Sequence, residues 1–338
     1  MQAADSVAAP TPAPKPAQAP STTLSYLPVG MFGSVMGLTG LSIAWHLAHQ
    51  HFGLPAWIGQ AIGALAVLDF IVLAIAYAVK AASGFAAVKA EFANPVAGNL
   101  FGTPLISLLL LPFVLVDVSL ELARLSWVLG AVLMTVFGWA IVIRWITVRH
   151  TGAQIAPTWI VPVVGMLDVP LAVPLLQWDG LHGVMMFGTA VGLFFALPLL
   201  TMLLIRLAME DPLPAPLQPS LLIVLAPFAV GFSAYVTTTG QIDGFAEGLY
   251  MVMLFVLPIL LGRLRHLPHC SPFRVSWWAA SFPLAATAVA ALKYADHARH
   301  PVTDAIAALI LAIASLIIAV FAVQTLGGVA RGKLRDLS

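Results

Sequence analysis

Charge is what this chain most lacks. Only 9% of its 338 residues are Asp, Glu, Lys or Arg, 14 acids against 15 bases, with a formal net charge of +1. A soluble domain of this size could not cover its surface with so few charges, which excludes a water-soluble globular protein. The near-neutral balance likewise offers no electrostatic footprint for nucleic acid. Cysteine is scarcer still, and the lone Cys270 cannot close an internal disulfide. Catalytic signatures are also missing: there is no Walker loop, nucleophile elbow or HExxH helix, so neither an ATP-driven pump nor a membrane hydrolase is supported. The chain reads as a non-enzyme without catalytic residues. Its histidines, among them His46, His49 and His51, fall at the ends of apolar runs. A membrane haem protein needs histidines within facing spans, and clustered histidines without a carboxylate or thiol are usually just solvated. No cofactor or metal is expected.

What the chain has instead is apolar length. Hydrophobic residues make up 61% of it and the mean hydropathy is +0.99. A membrane-spanning helix needs roughly 20 mostly apolar residues. Ten segments qualify, near 27–46, 56–80, 100–116, 123–148, 157–177, 181–206, 218–238, 245–265, 275–296 and 303–328. Residues 1–23, rich in Pro and Ala, read as a disordered cytoplasmic tail. Residues 24–330 form the membrane domain, and 331–338 a short basic cytoplasmic tail. Of the 15 Lys and Arg, only Arg124, Lys293 and Arg299 fall opposite the side shared by the termini, leaving twelve on that side. This bias places both termini in the cytoplasm of a multi-pass protein of the cell inner (plasma) membrane.

Paired in order, the ten spans make five helical hairpins. Prolines mark the odd spans: Pro104 and Pro112 in the third, Pro162 and Pro170 in the fifth, Pro227 in the seventh, Pro283 in the ninth. A proline inside a helix frees a carbonyl and bends the chain, tolerable in lipid only where protein or water satisfies the released group. The odd spans are therefore expected inside and the plainer even spans outside, an all-α ring of hairpins around a central axis. Leu193–Pro198 leading to Arg206 parallels Leu254–Pro258 leading to Arg263, a trace of internal repetition.

Small residues at helical spacing, Gly30, Gly33, Ser34, Gly37 and Gly40, form one stripe on the first span. Such a stripe faces either another backbone at close range or an open lumen; the recurrence of prolines and small residues in the odd spans favours the lumen. Further wall candidates are Thr103, Pro104 and Ser107 in the third span, Pro162 and Gly165 in the fifth, Pro227 in the seventh, and Ser281 and Pro283 in the ninth. Two acids lie well inside spans, Asp69 and Asp168. Asp168, beside Pro170, reads either as a proton-coupling group or as a structural acid; Asp69, on an outer span, as a structural partner. Phe282 stands beside Pro283 on a helix otherwise rich in Ala, Ser and Thr. A large ring in a narrow passage blocks ions by closure and dewetting, while the alternative is a ring packed against a neighbouring helix. No Lys or Arg lies mid-span on an odd helix, so an anion there would meet small polar groups, backbone and helix dipoles.

With Leu27–Gly33 and its small-residue helix, Asn94-Pro95, Thr103-Pro104 and above all Trp277–Pro283, the chain resembles the tellurite-resistance/dicarboxylate transporter family, which includes TehA and the plant slow anion channels. The likeness runs from about residue 26 to 328. It implies five hairpins in quasi-fivefold arrangement around a pore lined by the odd helices, a trimeric assembly, and an occluding phenylalanine on the ninth helix, for which Phe282 is the matching position. It also implies transport of small inorganic or organic anions across the lipid bilayer, as a channel or passive transporter, or else as a proton-coupled carrier of dicarboxylate, sulfite or tellurite. Both tails are short, so the long cytosolic regulatory regions of the plant channels are not expected.

Overall fold

The computed structural model describes residues 24–264 and 273–337. The tail expected over 1–23 lies outside the described residues, as do Arg265, His266, His269 and Cys270. Among the described residues all regular structure is helical. Nine helices among the described residues are long and apolar enough to cross a membrane: Val29–Phe52, Ala56–Ser83, Ala97–Leu115, Leu120–Thr147, His182–Met209, Ala215–Thr239, Gly244–Arg263, Val275–Ala298 and Pro301–Ala330.

The fifth expected span differs. It is a chain of short helical turns, Pro157–Ile160, Val161–Val164, Gly165–Asp168 and Val173–Leu176. Pro157, Pro162, Pro170 and Pro174 each remove a backbone donor, too often for one continuous helix. The stretch is nonetheless buried almost throughout, and such irregular backbone at membrane depth survives only inside protein or along a cavity.

Four of the odd-span prolines sit elsewhere than a mid-helix kink requires, whereas Pro112 does break the third span, at Leu111 between the helices Gly102–Leu110 and Pro112–Leu115. Each odd span opens with 3₁₀ turns, at Val29–Phe32, Ala97–Phe101, Pro157–Ile160, Ala215–Leu225 and Val275–Ala280, before its α-helical part begins. Pro104, Pro162, Pro227 and Pro283 fall in the first α-turn after that junction, where a missing N–H costs no intrahelical bond. The prolines do mark the odd spans, but at these four the distortion lies in the turn preceding the proline.

Burial separates the two sets of spans. The windows of the four continuous odd spans are 56–89% buried and those of the even spans 17–39%. The first span packs on the ninth, the ninth on the seventh, the seventh on the fifth, the fifth on the third and the third back on the first. Each even helix covers the odd span that precedes it, and its outer face is apolar: Leu68, Leu204, Phe255 and Leu316 are exposed. The ninth span is the most enclosed, at 89%. Its alanines allow close approach to the first helix, as small residues do between membrane helices.

A polar knot holds the start of the first span. Glu91 accepts from Val29 N–H through Oε1 at 2.6 Å, and through Oε2 from Lys80 Nζ at 2.6 Å and the Tyr77 hydroxyl at 3.0 Å. Lys80 also donates to the Leu27 carbonyl at 2.6 Å. Asp69 accepts from the Ser34 hydroxyl, joining the first two spans.

Candidate functional site

All five inner spans contribute to one chamber of about 240 Å³, opening on the side where the odd spans begin. Gly30 and Gly33 line it from the first span, Thr103 from the third, Gly165 and Asp168 from the fifth, and Phe282 and Pro283 from the ninth. A smaller chamber of about 90 Å³ lies further along, with Gly40, Leu110, Leu171, Ser233 and Ala286 each from a different inner span. Phe282 and Val230 belong to both walls. Beyond the smaller chamber, Leu47 and Lys293 are shared with a vestibule of about 750 Å³ at the far ends of the first, seventh and ninth spans. Three cavities thus follow one another, and each adjacent pair shares side chains.

Phe282 is held from both sides. The Ser281 hydroxyl donates to the Trp278 carbonyl at 2.7 Å and lies 3.0 Å from the Gly33 carbonyl, bridging the 3₁₀ junction of the ninth span to the first. Trp278 Nε1 donates to Thr325 Oγ1 at 2.9 Å, fastening the same junction to the tenth span. Phe282 is 7% exposed and its ring rests against Gly40, where the first span also comes close to Ala285 of the ninth.

The wall candidates divide by place. Gly30, Gly33, Thr103, Gly165 and Pro283 face the inner chamber. Ser34, Pro104, Gly37, Ser107, Pro162, Pro227 and Ser281 stand behind the linings of both chambers. Ser34 turns to Asp69. Gly37 meets Ser281 so closely that a Cβ there would stand 2.1 Å from the serine Oγ. The Thr103 hydroxyl reaches the Leu100 and Val29 carbonyls at 2.8 and 3.1 Å. Ser107 donates to the Thr103 carbonyl at 2.9 Å. These hydroxyls satisfy carbonyls left over where 3₁₀ turns pass into α-helix. The stripe on the first span therefore meets both a neighbouring helix and the cavities: Gly37 packs on the Ser281 side chain, and Gly30, Gly33 and Gly40 border the chambers, Gly33 also close to the Trp278 carbonyl.

Asp168 is 1% exposed and lines the inner chamber, and its Oδ1 has no hydrogen-bond partner among the described residues. The three histidines of the first span diverge: His46 Nδ1 bonds to the Ser42 carbonyl, His49 Nδ1 to the Leu54 carbonyl, and His51 lies between Asp296 and Asp304. Sequence reasoning missed two cations of the path. Arg274 borders the inner chamber and Lys293 the outer one. Both had been counted only as loop-side charges; the helical period, which sets Lys293 eleven residues and about three turns beyond Phe282 on one face, was the available signal.

Comparison with known proteins adds to this geometry. Residues 26–326 match the family model described as SLAC1, voltage-dependent anion channel. The chain is 28% identical over 318 residues to the S-type anion channel SLAH3 of Arabidopsis thaliana, covering 92% of this chain and 49% of that protein. It is 25% identical over 310 residues to the guard cell S-type anion channel SLAC1 of the same plant, 88% of this chain and 55% of that one. To the tellurite resistance protein TehA homolog of Haemophilus influenzae it is 25% identical over 271 residues, 79% of this chain and 81% of that one. The chain spans about half the length of the plant channels SLAH3, SLAH2 and SLAC1.

Proposed function

This chain belongs to the voltage-dependent anion channel family, and from that premise we propose that it is a passive conduit for small anions, closed by Phe282. The observation that carries the proposal is the sharing of one ring by two chambers: Phe282 borders the inner and the outer cavity alike. A ring at that boundary excludes hydrated ions by filling the passage and leaving it apolar. Apolar side chains, among them Ile106, Val161, Val164 and Ile223, dominate the inner wall, with Asp168 and Arg274 as its charged members, so an anion in the apolar stretch beside Phe282 is held weakly and selected by its dehydration cost. Weak holding suits fast passage.

The same reading takes the five hairpins as a quasi-fivefold arrangement around this path, with three copies assembling in the cell inner membrane and both termini cytoplasmic. Twelve of 15 basic residues on one side support that orientation. The relatives' names speak of anion channels and of tellurite resistance; anions are the proposed substrates here, and no catalytic step is proposed. A second reading, a proton-coupled carrier of dicarboxylate, sulfite or tellurite, rests on the unpartnered Oδ1 of Asp168 in the inner wall, since a coupling group must change its protonation as substrate moves. Voltage-clamp recording of the parent and of Phe282→Ala in chloride, nitrate, sulfite and malate tests the conduit. Currents that grow in the variant and need no pH gradient support it. Flux that appears only with an imposed pH gradient favours the carrier.

A further inference from the structure

The outer chamber contains a cation with no counter-charge. Lys293 lies within the ninth span, and its side chain lines both the outer chamber and the vestibule. No carboxylate among the described residues comes within ion-pair distance of its ammonium. The acid that lines the vestibule, Asp296, approaches His51 at 3.5 Å, as does Asp304 at 2.8 Å. Among the described residues the one hydrogen-bond partner of Lys293 is Thr237 Oγ1 at 3.5 Å, the outer limit of a hydrogen bond. Thr237 spends its own proton on the Ser233 carbonyl at 2.7 Å, so only its lone pairs are left for the ammonium.

One turn back on the same face of the seventh span is Ser233, which also lines the outer chamber. It is 3% exposed, and its hydroxyl has no partner among the described residues. A buried hydroxyl without a partner and a membrane-embedded ammonium without a counter-ion are each unfavourable alone. Here they border one small cavity. Both are donors, so a single acceptor between them would satisfy both, and the positive charge selects a negative one.

We propose that Lys293 and Ser233 form a binding site for one small inorganic anion at the vestibule end of the path, the last station before or after Phe282. The site rests on the conduit reading for its role in permeation, though not for its chemistry. Its volume of about 90 Å³ is several times the roughly 10–15 Å³ that one water needs, room for a small anion with part of its hydration. Such a site concentrates anions from the vestibule beside the outer chamber.

The test has two independent readings. Crystals of the parent grown in sodium bromide should show an anomalous peak within hydrogen-bond distance of Lys293 Nζ and Ser233 Oγ. The peak should vanish in Lys293→Met, persist in Lys293→Arg and weaken in Ser233→Ala. A parent map with only water there, or a peak that survives in Lys293→Met, overturns the site. If Lys293→Met does not fold, the parent map and Ser233→Ala decide. Separately, on a Phe282→Ala background, Lys293→Met should raise the half-saturating chloride concentration on the vestibule side about tenfold, the loss of one charge-assisted contact. An unchanged value overturns the proposed role. Absence of anion current in Phe282→Ala itself would instead remove the conduit reading and leave the bromide result standing.

Discussion

Phe282 lies against Gly40 of the first span: a Cβ on Gly40 would stand 3.4 Å from the ring Cδ2, an ordinary contact, and 2.9 Å from the Ala285 Cβ. The first and ninth spans thus meet closely beside the ring, with Pro283 and the Ser281 hydrogen bonds fixing it from behind.

Truncation to Phe282→Ala joins the two chambers without disturbing the Ser281 bridge. Anion conductance should rise by about an order of magnitude or more, read as macroscopic current at equal surface expression. A folded, inserted variant that conducts no more than the parent would show that the ring is packing alone.

Gly37 and Gly30 separate packing from lining on one helix. A Cβ on Gly37 meets the Ser281 side chain at 2.1 and 2.4 Å, close to backbone, whereas one on Gly30 meets the movable end of Leu100 at 2.8 Å. Gly37→Ala should thus cost about 1–3 kcal/mol through overpacking and lower the melting temperature in detergent. Gly30→Ala should leave it nearly unchanged. Equal melting of the two variants would mean that the first and ninth spans tolerate separation.

The Lys80–Glu91 pair is enclosed, with side chains 3% and 13% exposed. Lys80→Met strands a carboxylate that still accepts from Val29 N–H and Tyr77, and breaking such a pair costs about 3–5 kcal/mol. Lys80→Met/Glu91→Gln keeps a hydrogen-bonding group without the charge, so thermal stability should largely return. Failure of the double variant to recover over the single one would place the cost in the lysine's bond to the Leu27 carbonyl.

Asp168 discriminates channel from carrier. Asp168→Asn should leave anion uptake into proteoliposomes largely intact, with and without an imposed pH gradient. If the parent shows a pH-driven component that the variant loses while it still binds anion, symport is the better account.

The alternation of inner and outer spans was legible because its causes are local. Prolines and small residues recur in every odd span, and hydropathy needs no partner to be read. The fifth span shows where that legibility ended. Its apolar length satisfied the spanning rule, but four prolines break it into short turns whose position depends on the neighbours that cover them.

Composition and residue order by themselves determined that this is a membrane protein of many apolar spans and which of those spans are inside, since the bilayer imposes length, apolarity and charge bias segment by segment. Only the tertiary structure decided what each small or polar residue meets. Gly33 and Ser281 are 248 positions apart, and whether a glycine faces a cavity or another backbone depends on the crossing of two such distant helices. For the same reason Lys293, read from the chain as a charge at a span's end, became a wall of the outer chamber: the ninth helix continues to Ala298, and its packing against the first and seventh spans turns that lysine inward.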